Sequence, residues 1–219
     1  MTRRNRKKEF AMLAEYTREQ SDLVDKISKK YPSLPFITAF IMAGDILSRK
    51  QADEWVASGE YGISEAGWNV GSFARVDWFA DHYDNHSLGD NWLLRDFPTV
   101  WSLSDPDDTD PRFLNLWEKA WKLNGQTYLR DGNPDLDILP DAGMISIYRG
   151  QMKADGPLGI SWSTSYEVAG KFARGAGLRV RASGVVINGR VKVSNVLGYL
   201  TGRGENEIVV NPKDVEVYE

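Results

Sequence analysis

The chain has 219 residues, 42% hydrophobic and 26% charged, with 27 Lys and Arg against 31 Asp and Glu for a net charge of −4. That length suits one large domain or one and a half small ones, and the acidic balance argues against a nucleic-acid binder that uses its whole surface. The absence of cysteine excludes disulfides, thiolate metal sites and a thiol nucleophile.

Five positive charges fall between Arg3 and Lys8. They read first as a solvated terminus, and second as a tether to nucleic acid or an acidic partner. No apolar run follows them, so no signal peptide is expected. No stretch of about 18 apolar residues exists, so no membrane span is expected either, and the expected location is cytoplasmic. The spacing of Phe10, Leu13, Leu23, Val24 and Ile27 predicts a helix over 7–30, stopped by Pro32 and Pro35. Residues 35–47 form a second apolar segment, read as a buried helix. Ser48 with Gln51 three residues on reads as a capping box, opening a third helix through Val56 that ends near Gly59. Residues 62–90 mix glycine, aromatics and aspartate and give no clear element. They hold the only two histidines, His82 and His86, without the Glu of a metalloprotease helix or a third ligand, so no metal is expected. The acids from Asp105 to Asp110 lack the Gly and terminal Glu of a calcium loop and read as solvated. Pro111–Leu123 is an amphipathic helix with Phe113, Leu116, Trp117 and Trp121 inward, and Gly132–Pro140 is a turn-rich connector.

Beyond Pro140, short apolar runs alternate with turn signals. Strands are predicted at Met144–Tyr148, Gly159–Ser163, Leu178–Arg181 and Ile208–Val210. Val185–Ile187 and Arg190–Val193 read as a hairpin about Asn188-Gly189, the pair favoured by a type I′ turn. The fold class is α+β: a single domain with a helical lobe over about 1–140 and a β-rich core over about 141–219. No Gly-rich dinucleotide fingerprint and no Walker A sequence is present.

Three places in the β-rich part carry chemistry. Arg149 ends an apolar strand and can make a bidentate contact to phosphate, with Gly150 beside it allowing close backbone approach. In Gly159–Ala173, Thr164 and Glu167 read as a capping box for a helix carrying Val168, Ala169 and Phe172 inward. Ser161 and Ser163 precede it on one face of a strand, with Ile160 and Trp162 on the other. Glu205 and Glu207 place two carboxylates on one strand face, roughly 7 Å apart if extended, just after Gly202-Arg203-Gly204.

Taken in order, "IYRG" (147–150), "ISWSTSYEVAGKFA" (160–173) and "GRGENEIVV" (202–210), with "NVLGYL" (195–200) ahead of the last, resemble the R-S-E class of ADP-ribosyltransferases. The match covers about residues 143–213. The family's serine triplet is S-T-S, found literally at Ser163-Thr164-Ser165. The spacing back from Val168-Ala169 instead puts the motif position on Ser161-Trp162-Ser163, so Ser161 is the expected motif serine with Ser163 its neighbour.

The resemblance implies that the chain uses NAD as substrate and breaks its nicotinamide–ribose bond, without a metal. Arg149 would bind the NAD phosphates, Gly150 the nicotinamide amide, and Ser161 would hold Glu207. Glu207 would bond the ribose and stabilise positive charge, and Glu205 would orient the acceptor and take its proton. Trp162 or Phe172 would lie near the nicotinamide, with Ser163 lining the same cleft. Tyr199 and Arg203 would help to recognise the acceptor. The acceptor implied first is a protein arginine, in the manner of a phage or toxin-type effector. Transfer to RNA or DNA, or to water, is the alternative, and a non-catalytic interaction module is a third reading.

Overall fold

The computed structural model describes residues 18–32, 36–131, 139–153, 155–175 and 183–218. The basic residues 3–8 and the strand expected at 178–181 lie outside them, as does most of the connector at 132–140. The chain divides into two compact units, Met1–Trp78 and Phe79–Glu219.

In the first unit, residues 18–30 are helical (α1), and Val24 and Ile27 bury against Ala39 and Ala43 of α2 (Phe36–Ser58). Two helices were expected where α2 runs unbroken. Ser48 does not cap: its hydroxyl donates to the Asp45 carbonyl one turn back at 2.7 Å and accepts the Gly71 N–H at 2.9 Å. With no proline from 36 to 58, a hydroxyl satisfied inside the helix gives no reason to stop. The unassigned stretch that follows holds α3 (Ile63–Gly67) and α4 (Arg75–Asp84). Trp78, 1% exposed, donates its indole N–H to Asp53 at 2.6 Å. His86 lies beyond the end of α4 with φ 60°, off the helical spacing that the sequence suggested.

The second unit carries α5 (Asp90–Arg95), α6 (Phe97–Ser102) and α7 (Pro111–Leu123). Asp110 caps α7 by accepting the Arg112 N–H, with Pro111 in the first turn. Phe97, Trp101, Phe113 and Trp117 interlock with ring centroids 4.9–6.1 Å apart.

Against this aromatic layer lies a seven-stranded mixed sheet: β1 (Leu129–Arg130), β2 (Met144–Gln151), β3 (Ser161–Ser163), β4 (Val185–Lys192), β5 (Val196–Leu200), β6 (Glu207–Val210) and β7 (Glu216–Tyr218). Their order is β1-β5-β6-β3-β2-β4-β7, antiparallel except at β1–β5. Ile147, Trp162, Val191, Tyr199 and Ile208 bury together in one core cluster of the sheet. Helix α8 (Tyr166–Ala173) packs on β2, where a Cβ on Gly150 would lie 1.9 Å from the Ala169 carbonyl oxygen. The bare face of Gly150 therefore seats helix α8. Among the described residues no helix is long and apolar enough to cross a membrane, and no cluster of three or more acidic or histidine side chains is arranged to hold a metal ion.

Two local expectations are corrected. Asn188-Gly189 is no turn: β4 pairs with β2 residue by residue from Met144↔Lys192 to Gln151↔Val185. Eight paired positions outweigh a two-residue turn preference, and a Cβ on Gly189 would lie 2.6 Å from Val215 and 3.1 Å from the Trp162 ring. The cap of α8 is Ser165, whose hydroxyl accepts the Val168 N–H at 3.3 Å. The Thr164 N–H instead donates to the Asn206 carbonyl at 3.0 Å, continuing the ladder between β3 and β6. Ser165→Ala is therefore expected to cost about 1 kcal/mol of stability. Thr164→Ala should be close to neutral, read from urea-unfolding midpoints of the two variants.

Candidate functional site

Three adjacent strands, β6, β3 and β2, hold the site. Their register sets Glu207 opposite Ser163 and Ser163 opposite Tyr148. Glu207 opens β6. Its Oε1 accepts the Ser161 hydroxyl at 2.6 Å and the Trp101 indole N–H at 2.9 Å. Burial pushes this carboxyl up to about 7, and the nearby charges of Glu205 and Asp108 push the same way. The two hydrogen bonds oppose them by favouring the ionised form.

Ser163 does other work. Its hydroxyl donates to the Glu205 carbonyl at 2.6 Å and accepts the Ser165 N–H at 3.0 Å, tying the loop before β6 to the start of α8. Of the two serine hydroxyls on this strand, only that of Ser161 reaches Glu207.

Glu205 lies before the strand, not on it. Asn206 has φ 46°, a left-handed turn that breaks the extended alternation expected of Glu205 and Glu207. The Glu205 carboxylate sits 3.6 Å from Arg203 Nε, and Arg203 in turn donates to Asp105 at 3.1 Å and to the Ser104 carbonyl at 3.2 Å. Burial raises the Glu205 carboxyl, Arg203 draws it back down, and Asp105 adds to the rise. The loop is also tied at its root, where the Asp131 carboxylate accepts the N–H groups of Thr201 and Gly202.

Arg149 is anchored in β2. Past Tyr148↔Ser163 no further β2–β3 pair forms, and the strands part. The opening is filled by an ion pair: Arg149 Nη1 and Nη2 donate to the two carboxylate oxygens of Asp108 at 2.5 and 3.1 Å. Nη1 also donates to the Ser161 carbonyl at 2.7 Å, and Asp108 accepts the Ser161 N–H at 3.1 Å. The backbone of β3 is thus satisfied at Ser161 by side chains rather than by β2. Only 12% of the Arg149 side chain and 19% of Asp108 are exposed, and Arg149 Nε is buried without a partner.

The acidic run is accordingly no solvated loop. Asp105 holds Arg203, Asp108 holds Arg149, Asp110 caps α7, and Asp107 accepts from the backbone and hydroxyl of Thr109. The remaining expected site residues lie elsewhere. Trp162 is 2% exposed in the sheet core, its indole N–H on the Gly159 carbonyl at 3.1 Å. Tyr199 is 4% exposed, edge-on to Tyr128. Phe172 is half-buried on α8. Strand alternation commits Trp162 and Tyr199 to the hydrophobic layer with Ile208 rather than to the face of Glu207.

Sequence reading missed Trp101 and Asp108. No local pattern could find Trp101, which meets its partner across 106 residues. Asp108 left a faint signal: turn and cap chemistry accounts for Asp107 and Asp110, and two acids, Asp105 and Asp108, remain over.

Chemically, the site offers a raised, hydrogen-bonded carboxylate, a second carboxylate beside an arginine, and an arginine with a backbone N–H that together hold a pair of anionic oxygens. Asp108 supplies those oxygens from within the chain. Arg149 Nε is a further buried donor beside this set. Compared with known protein families, curated proteins and solved structures, the chain matches none.

Proposed function

We propose that the chain is a mono-ADP-ribosyltransferase that moves ADP-ribose from NAD to a macromolecular acceptor, with a protein arginine as the first candidate. The observation that carries this reading is the 2.6 Å hydrogen bond from Ser161 to Glu207, with Arg149 on the next strand of the same sheet. It joins residues of the three motifs that resemble the family.

NAD supplies a nicotinamide that leaves with the electron pair of its bond to ribose C1′, giving C1′ oxocarbenium character. Glu207, ionised, lies against the ribose and stabilises that positive charge. Ser161 fixes the carboxylate. Glu205 takes the proton of the acceptor as the acceptor's lone pair bonds C1′, and its raised basicity suits that task. Arg149 and the Ser161 N–H take the pyrophosphate once Asp108 gives it up.

Because Asp108 competes for those donors, Asp108→Asn is expected to lower the NAD KM about tenfold with kcat little changed, since an amide pairs more weakly with a guanidinium than a carboxylate does. Steady-state nicotinamide release at varied NAD checks it. The reading as a whole is tested with NAD labelled in the adenylate moiety, offered with protein, RNA and DNA acceptors separately. Label fixed covalently to protein and released by hydroxylamine supports the arginine assignment. Label on nucleic acid moves the acceptor, and no consumption of NAD removes the function.

A further inference from the structure

Trp101 belongs to none of the sequence motifs, yet it is the only group besides Ser161, among the described residues, that donates to Glu207. Its setting is rigid. It is 2% exposed, wedged edge-on between Phe113 and Trp117 at 5.5 and 5.8 Å, with Phe97 at 6.1 Å. The same aromatic layer shows that an indole here need not have a partner. The N–H groups of Trp92, Trp117 and Trp121 are buried and unbonded, each at a desolvation cost. In that company, an indole N–H aimed at a carboxylate 2.9 Å away is a specific arrangement rather than a by-product of packing.

We propose that Trp101 is a positioning residue for Glu207, its indole N–H and the Ser161 hydroxyl converging on Oε1 to fix the carboxylate and leave Oε2 for the substrate. This deepens the transferase reading and rests on it for the word substrate, although the hydrogen bond and its effect on the carboxylate do not. The two donors differ in kind. A serine hydroxyl rotates and can accept as well as donate, whereas an indole N–H can only donate and is held by its ring. Trp101 therefore favours the ionised carboxylate and sets its orientation. It acts against the other charges around Glu207, namely Glu205 on the preceding loop and Asp108 on the loop before α7, which favour the protonated form. Arg203 is also close enough to interact with Glu207.

The test removes the N–H, and one of its two variants keeps the bicyclic ring. Trp101→Phe is compared with full-length protein carrying benzothienylalanine at position 101, in which sulfur replaces the indole nitrogen. The isostere covers the case in which the smaller ring fails to fold. The first readout is the titration midpoint of the Glu207 carboxyl, followed by carbon-13 NMR in the free protein and assigned with Glu207→Gln. The second is the pH profile of nicotinamide release. Loss of the donor is expected to move the midpoint up by about one pH unit and to lower turnover at pH 7 about fivefold, with the NAD KM unchanged and activity recovering at higher pH. A midpoint that stays in place in the folded isostere variant overturns the proposal. If the wild type releases no nicotinamide, the transferase reading fails, and the titration alone still decides whether Trp101 sets the state of Glu207.

Discussion

Glu207→Gln is expected to lower nicotinamide release at least ~1000-fold while leaving the protein folded. The amide oxygen can still accept from Ser161 and Trp101, so the geometry around Oε1 is kept and only the charge is lost. A change confined to charge separates electrostatic work from packing. In the wild type, turnover should rise about tenfold between pH 6 and pH 8 as a carboxyl held near 7 ionises. The same residue sets a stability signature of opposite sign to most carboxylates. Its folded value lies above its ordinary 4.5, so the fold favours the protonated form. Stability is then fully present below about 4.5 and falls as pH rises towards 7. The glutamine variant lacks that slope. It should melt with the wild type at pH 4 and above it at pH 8, which calorimetry at the two pH values reads directly.

The second large effect concerns Arg149. Arg149→Met should destabilise the protein by about 3–5 kcal/mol, because it strands the mostly buried Asp108 carboxylate without its cation. Restoring neutrality with Asp108→Leu in the same chain should recover most of that loss, since a buried ion pair and an apolar pair of similar volume are often close in stability. NAD affinity should not return with it. The double variant thus divides the two roles of Arg149, closing the gap between β2 and β3 and holding anionic oxygens. If stability recovers and the NAD KM also becomes normal, Arg149 is a strut only and the phosphate role is lost.

The legible parts of the molecule were those decided by neighbours in sequence. The alternation of Ser161, Trp162 and Ser163 told which side chains face the core, because a strand has no other choice. Strong amphipathic spacing placed α7, and its proline-led start is confirmed with Asp110 as the cap. Where distant partners decide, local signals misled. Asn188-Gly189 has the chemistry of a tight turn, but the full length of β2 lies beside it and keeps β4 straight. Thr164 with Glu167 has the spacing of a capping box, but β6 claims the Thr164 backbone, so the cap moves one residue to Ser165. Glu205 and Glu207 read as a pair on one strand until Asn206 turns left-handed between them. The candidate site divides in the same way. Ser161 was set apart from the literal Ser-Thr-Ser by the spacing of the family that the chain resembles, and its hydroxyl is the one that donates to Glu207. Trp101 and Asp108 join only when α6 and the loop after it fold over the sheet, and no periodicity reports that.

Cleavage of the nicotinamide–ribose bond of NAD, driven by Glu207, is the activity proposed for this chain. The most direct measurement is nicotinamide released from NAD by the purified full-length protein, by chromatography, beside Glu207→Gln at matched concentration and pH 8. The expected result is catalytic release by the wild type, with ADP-ribose recovered on an acceptor or in solution, and loss of at least ~1000-fold in the variant. Release that is undetectable from the wild type at high protein concentration with every acceptor offered, or equal release from both proteins, would contradict it.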